Sequence, residues 1–222
     1  MNTDKRAEDR SQTVLCFGDS NTWGSMPMAD INDVRRFGRG ERWPGVLRAA
    51  LGSGWHVIEE GLPGRTIGRD DPVEGLERNA LRMLRGLLES HRPLDRIVLM
   101  LGTNDLKARF GATPPQIAAG VHGLLDAIAA SDLPQMPAPR ALVVSPVPVL
   151  EVGFLAGLFY GAAAKARELA PLYAQVAIDR GAAFLDAGSV ARVDPGEGIH
   201  LDAAAHRAIG LAVAACLRDG AS

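Results

Sequence analysis

A serine, a side-chain amide and a histidine behind an acid, each just after a short apolar run, are the residue types that acyl transfer requires. The serine is Ser20, in Gly18-Asp19-Ser20-Asn21-Thr22 after the run Thr13-Val14-Leu15-Cys16-Phe17. A hydroxyl is a weak nucleophile at neutral pH, so it needs an adjacent base and a rigid element that exposes it. The same position also suits a helix cap, because Ser, Asp and Asn side chains accept from the free N–H groups of a first turn. Alone, the segment reads equally as either. It is not a G-x-S-x-G elbow, since Thr22 stands where that pattern needs glycine.

The base must come from His56, His91, His122, His200 or His206. His56 falls within an apolar run, His122 within a helical pattern, and His91 beside Arg92-Pro93 at a helix end, all positions that suit structural roles. His200 instead follows the loop Asp194-Pro195-Gly196-Glu197-Gly198-Ile199, whose Pro and Gly residues exclude a regular helix. Asp194 and Glu197 are both close enough upstream to orient an imidazole and stabilise its protonated form. Asn104, in Gly102-Thr103-Asn104-Asp105, and the backbone at Gly64, in Gly61-Leu62-Pro63-Gly64, are candidate donors to a developing oxyanion. Both are equally at home in turns. No H-E-x-x-H, Cys/His cluster or acidic calcium loop is present, and no phosphate-binding or dinucleotide glycine motif, so neither a metal nor a cofactor is expected.

The elements that must carry these residues alternate short apolar runs with longer amphipathic stretches, the pattern of a parallel sheet with crossover helices. Strands are expected at Thr13–Phe17, Trp55–Ile58, Arg96–Leu101, Ala141–Val144 and Ala183–Leu185, and helices at about 42–52, 74–90, 114–130, 151–180 and 202–218. Thr113 before Pro114-Pro115, and Asp202 before Ala203, have the chemistry of helix starts. Ligands of such sheets bind outside the carboxyl ends of the strands, which is where Ser20, Gly64, Asn104 and His200 fall. The prediction is α/β, with a polar, flexible tail over 1–12 and one domain over 13–222.

Composition narrows the remaining classes. The 222 residues carry 24 Lys+Arg against 26 Asp+Glu, a net charge of −2, and 47% are hydrophobic. Disorder is excluded, and a near-neutral balance argues against a nucleic-acid partner. The longest apolar stretch, 147–164, is interrupted by Pro148, Glu151, Gly153, Gly157 and Gly161 and is too broken for a membrane span. Two cysteines at opposite ends of the chain, Cys16 and Cys216, suit free thiols in a reducing compartment; with a polar start to the chain, a cytoplasmic location is expected.

Four blocks in order, Gly18-Asp19-Ser20-Asn21, Gly61 to Thr66, Gly102-Thr103-Asn104-Asp105 and Gly198-Ile199-His200, resemble the SGNH (GDSL-type) hydrolase family. Cys16 to Gly24, Val57 to Leu62, Met100 to Asp105 and Asp186 to Val190 are similar to its bacterial arylesterase/acyltransferase branch. The resemblance implies a flavodoxin-like three-layer α/β/α sandwich with a five-stranded parallel sheet. It implies Ser20 as nucleophile, His200 as base, and an oxyanion hole of the Ser20 and Gly64 N–H groups with the Asn104 side chain. Where the family carries Asp three residues before the histidine, this chain has Glu197, which takes the acid role with Asp194 as the alternative. Pro63-Gly64 likewise stands where near relatives tend to have Ser-Ala.

The activity implied is hydrolysis of short-chain or aryl carboxylic esters through an acyl-serine, with an alcohol acceptor able to compete with water. Carbohydrate deacetylation, lysophospholipase or thioesterase activity, and a catalytically silent binding protein are the alternatives. Phe154 and Phe159, in the apolar 148–160 segment, are expected to bind substrate at the entrance. The same segment is equally suited to packing against another subunit, and the resemblance implies a homo-oligomer.

Overall fold

A computed structural model describes residues 11–219. The expected tail lies outside the described residues over 1–10, and Gln12 already belongs to the first strand. Five parallel strands, β1 (Gln12–Gly18), β2 (Trp55–Gly61), β3 (Arg96–Met100), β4 (Arg140–Ser145) and β5 (Ala183–Asp186), stand in the order β2-β1-β3-β4-β5. The chain reverses direction of winding at β1 and β3, so the carboxyl ends of these two central strands flank the switch point where doubly wound sheets bind ligands.

The three inner strands, β1, β3 and β4, are buried on both faces, which is why their runs read as continuously apolar, while the edge strands β2 and β5 are only partly buried. Along β1, Leu15 and Phe17 point to one face while Val14 and Cys16 point to the other. The first face is covered by α3 (Ala80–Ser90), α4 (Pro114–Ala129) and α5 (Ala162–Asp179), the second by α2 (Trp43–Leu51) and α7 (Ala203–Asp219). Two four-residue helices, α1 (Ser20–Trp23) and α6 (Ala187–Val190), follow β1 and β5 directly.

Helix starts obey local chemistry. Thr113 and Gln116 form a reciprocal capping box ahead of Pro114, and the Asp202 carboxylate accepts from the Ala205 N–H at 2.7 Å. Two expected spans are shorter than the sequence pattern suggests. The 74–90 stretch opens with a 3-10 turn at Leu76–Arg78 and becomes α-helical only at Ala80, where the Asn79 side chain caps it. The 151–180 stretch is helical only from Ala162, because the Glu151 carboxylate reaches the Gly161 and Ala163 N–H groups, each at 3.0 Å, and so sits at the start of α5. Residues 153–161 ahead of it are a succession of turns.

Leu84 on α3 is fully buried against the first face of the sheet. Leu84→Ala is therefore expected to lower the free energy of unfolding by about 2–5 kcal/mol, the range for a leucine cavity. Chemical denaturation measures it, and a loss under about 1 kcal/mol would mean that α3 is not held by this contact.

Candidate active site

The turn from β1 into α1 sets the position of Ser20. A side chain at Gly18 would place its Cβ 2.0 Å from the Thr22 hydroxyl and 2.7 Å from the Met100 carbonyl, so only glycine lets the two central strands and α1 meet this closely. The capping function falls to the preceding residue: the Asp19 carboxylate accepts from the Asn21 N–H at 3.0 Å. The Ser20 hydroxyl is left free for another partner. Arg65 binds this turn to the next loop, donating to the Gly18 carbonyl at 2.8 Å and lying 4.4 Å from the centre of the Phe17 ring.

That partner of Ser20 is His200. Its Nε2 lies 3.0 Å from Ser20 Oγ and its Nδ1 lies 2.6 Å from Glu197 Oε1, with all three residues at least nine-tenths buried. The second carboxylate oxygen of Glu197 accepts from the Ile199 N–H at 2.8 Å and the His200 N–H at 2.7 Å. Burial works to raise the Glu197 carboxyl, but the His200 side chain and these N–H groups hold it below its ordinary value. A carboxylate ionised and bonded in this way fixes the imidazole tautomer that leaves Nε2 able to accept a hydroxyl proton.

Asp194 does not touch the imidazole. Its carboxylate accepts from the Gly196 and Glu197 N–H groups, both at 2.9 Å, and its carbonyl accepts from Gly198 N–H at 2.8 Å. It shapes the loop that presents Glu197. Asn21 links this loop to the serine turn, its side-chain amide donating to the Ile199 carbonyl at 3.2 Å.

The three expected oxyanion donors converge on the same cleft. The Asn104 amide spends one N–H on the Arg65 carbonyl at 3.1 Å, leaving its second for a ligand. Neither the Ser20 nor the Gly64 N–H donates to a protein acceptor among the described residues. Gly64 has φ +80°, a conformation that favours glycine, and a Cβ there would lie 2.1 Å from Glu74 Oε2, so a side chain at this position would displace the end of Glu74.

A cleft of about 280 Å³ opens over Ser20, Gly64, Asn104 and His200. Of the two expected aromatic contacts, only Phe159 lines it, together with Leu155 and Leu158. Phe154 does not: it lies outside the lining and is 40% exposed, because in this run of turns residues 155 and 159 share the inward side, tied by the Phe159 N–H to the Leu155 carbonyl at 3.1 Å. The opposite wall, Trp23, Met28, Ile31 and Val34, is a strap that sequence reasoning missed. Its signal was a long stretch without strand or helix period placed directly after the serine block, as binding loops often are. Lys107 and Glu74 also face the cleft, held together with Asp71 and Arg109 in an ion network; burial pulls the Lys107 ammonium down and the Glu74 bond opposes it.

Beneath the cleft, burial pushes the Asp105 carboxyl up to about 7 even though it accepts from the Ile67 N–H at 3.0 Å. Its unfolded value is about 3.9, so between these values the folded protein holds a proton that the unfolded chain has lost. The stability from this group is complete below about pH 4 and is lost as pH rises to 7, a total of about 4 kcal/mol. Asp105→Asn removes the effect. The unfolding free energy of the variant relative to the parent is expected to climb across that window and then level off; a flat difference from pH 4 to 8 would contradict the buried, protonated acid.

Comparison with known proteins agrees with this constellation. Residues 16–208 match the GDSL-like Lipase/Acylhydrolase family. An aryl esterase of M. smegmatis superposes with a TM-score of 0.90 at 41% identity, over 94% of this chain and 99% of that one. A carbohydrate acetylesterase from Sinorhizobium meliloti does so with a TM-score of 0.89 at 38% identity, over 94% and 99%. No curated protein sequence matches. The chain belongs to the GDSL-like lipase/acylhydrolase family and is a carboxylic ester hydrolase.

Proposed function

We propose that the preferred substrates are short-chain or aryl carboxylic esters, cleaved through an acyl-serine. The observation that carries this is the continuous Ser20–His200–Glu197 chain opening into a cleft of only about 280 Å³ with largely apolar walls. Ser20 Oγ attacks the ester carbonyl while His200 Nε2 takes its proton. The carbonyl oxygen, now negative, is met by the Ser20 and Gly64 N–H groups and the Asn104 amide. His200 returns the proton to the leaving alkoxide, and an alcohol departs. Water, deprotonated by the same imidazole, then frees the acid; an alcohol in its place yields a new ester. Apolar walls at Trp23, Leu155 and Phe159 favour an alcohol over water at this second step.

A second reading, deacetylation of sugars, is supported by Glu74 and Lys107 in the cleft wall, whose charges can hold hydroxyl groups, and by the acetylesterase relative. Among the described residues no helix is long and apolar enough to cross a membrane. The unpaired Cys16 and Cys216 support a reducing, cytoplasmic location. Ile31, Val34, Phe154 and Tyr160, exposed on segments that border the cleft, support a homo-oligomer.

Hydrolysis of p-nitrophenyl esters of increasing acyl length, beside acetylated sugars and with or without an added alcohol, separates these readings. The expected result is a kcat/KM highest for two to four acyl carbons, falling at least tenfold by eight, with ester product when alcohol is present. A preference for long acyl chains would overturn the small-acyl reading, and activity confined to acetylated sugars would replace it with the second.

A further inference from the structure

A second cleft, of about 620 Å³, lies behind the Trp23 wall and is built on charge. Arg36, Arg39, Arg42 and Arg48 line it against a single carboxylate, Glu59. Both oxygens of Glu59 are occupied, one by Arg42 and the other by Arg48 at 2.7 Å. Arg42, 5% exposed, also donates to the Phe37 carbonyl at 3.3 Å. Arg36 donates through Nε to the Trp23 carbonyl at 2.7 Å, and its guanidinium lies 4.3 Å from the centre of the Trp23 ring, which leaves its two terminal nitrogens without a protein partner among the described residues. Arg39 has no carboxylate partner there either. The acids nearest in sequence are engaged elsewhere: Glu41 accepts from the Gly38 N–H at 2.9 Å, and Asp33 is paired with Arg35. Partial burial, then the neighbouring charges of Arg42 and Arg39, pull the Arg36 guanidinium below its ordinary value.

In a chain of net charge −2, this is a local excess of cations, with Arg36 and Arg39 exposed and without a carboxylate partner among the described residues. The backbone that carries Arg36 and Arg39 is held in place beforehand. The Phe37 N–H donates to the Gly24 carbonyl at 2.8 Å, and Gly45 of α2 packs so closely on the Arg39 carbonyl that a Cβ would lie 1.6 Å from it. Binding then has to order the Arg39 side chain but not the backbone beneath it.

We infer that this cleft binds a phosphate-class dianion, free or carried on a small molecule. The planar guanidinium fork matches a phosphate face through paired N–H bonds, and two unneutralised arginines match two negative charges. The volume exceeds that of inorganic phosphate, so a phosphomonoester also fits. The site does not depend on the ester chemistry, and its lining shares no residue with the ester cleft.

Calorimetric titration of the full chain with inorganic phosphate and with adenosine monophosphate, in chloride buffer at constant ionic strength, tests it. Saturable one-to-one binding is expected, weakened at least tenfold by Arg39→Ala and less by Arg39→Lys. Tighter binding of the monophosphate identifies a carried phosphate, and tighter binding of phosphate a free one. Because Arg39 does not touch the ester cleft, Arg39→Ala keeps its hydrolysis of a small ester, which reports that it is folded. No saturable binding of either anion, or equal affinity in the parent and Arg39→Ala, would overturn the site.

Discussion

Ser20→Ala is expected to lower kcat for p-nitrophenyl acetate by about 10⁶, the scale seen when a triad nucleophile is removed. Among the described residues the Ser20 hydroxyl is the only partner of His200 Nε2, at 3.0 Å, so no neighbouring side chain among them is placed to form the acyl intermediate in its absence. Stability should barely change. The cap of α1 is Asp19 and not Ser20, and Ser20 Oγ has no other protein partner among the described residues, so the variant loses one hydrogen bond to an imidazole and keeps its turn. Turnover within tenfold of the parent, in a variant with an unchanged unfolding midpoint, would remove Ser20 from the nucleophile role. Residual activity over water in the variant measures the oxyanion hole and substrate binding together, because the N–H groups of residues 20 and 64 and the Asn104 amide all remain.

The contrast between Asp19 and Ser20 shows what a sequence can and cannot convey about such a site. An apolar run ending in Gly18 is enough to place Ser20 at a strand end, and a Pro/Gly-rich loop is enough to place His200 outside a helix, because both inferences need only local backbone preferences. Which of two adjacent polar residues caps a helix depends on the dihedral angles of a four-residue turn, and here Gly18 packs against both Thr22 within that turn and the Met100 carbonyl of β3. The same limit applied to Phe154 and Phe159. Their composition marked the segment, but the side each one faces is decided by Glu151 holding the start of α5 and by the turns that follow from it. The strap of Trp23 to Val34 carried no period at all, and its apolar side chains acquire meaning only once the cleft beneath them exists. The inner strands were legible to within a few residues because burial on both faces writes itself directly into composition, and the partly buried edge strands β2 and β5 were legible from shorter apolar runs.

Glu197→Gln is expected to lower kcat by about 10⁴ with little change in KM, since an amide can no longer fix the imidazole tautomer or stabilise its protonated form. The sequence gives Glu197 the acid role with Asp194 as the alternative, and the two positions now separate by what their oxygens touch. Glu197 Oε1 is 2.6 Å from His200 Nδ1, whereas Asp194 Oδ1 serves the Gly196 and Glu197 N–H groups. Asp194→Asn retains a carbonyl oxygen able to accept those two bonds, so it should cost less than tenfold in kcat. Glu197→Asp is the informative third variant. Its carboxylate is drawn back by one methylene from the position 2.6 Å from His200 Nδ1, so activity intermediate between the parent and Glu197→Gln is expected. A crippled Asp194→Asn beside a mild Glu197→Gln would transfer the acid role to Asp194. The added methylene of Glu197 then has a physical purpose: it lets one carboxylate hold the loop through Oε2 while Oε1 holds the base.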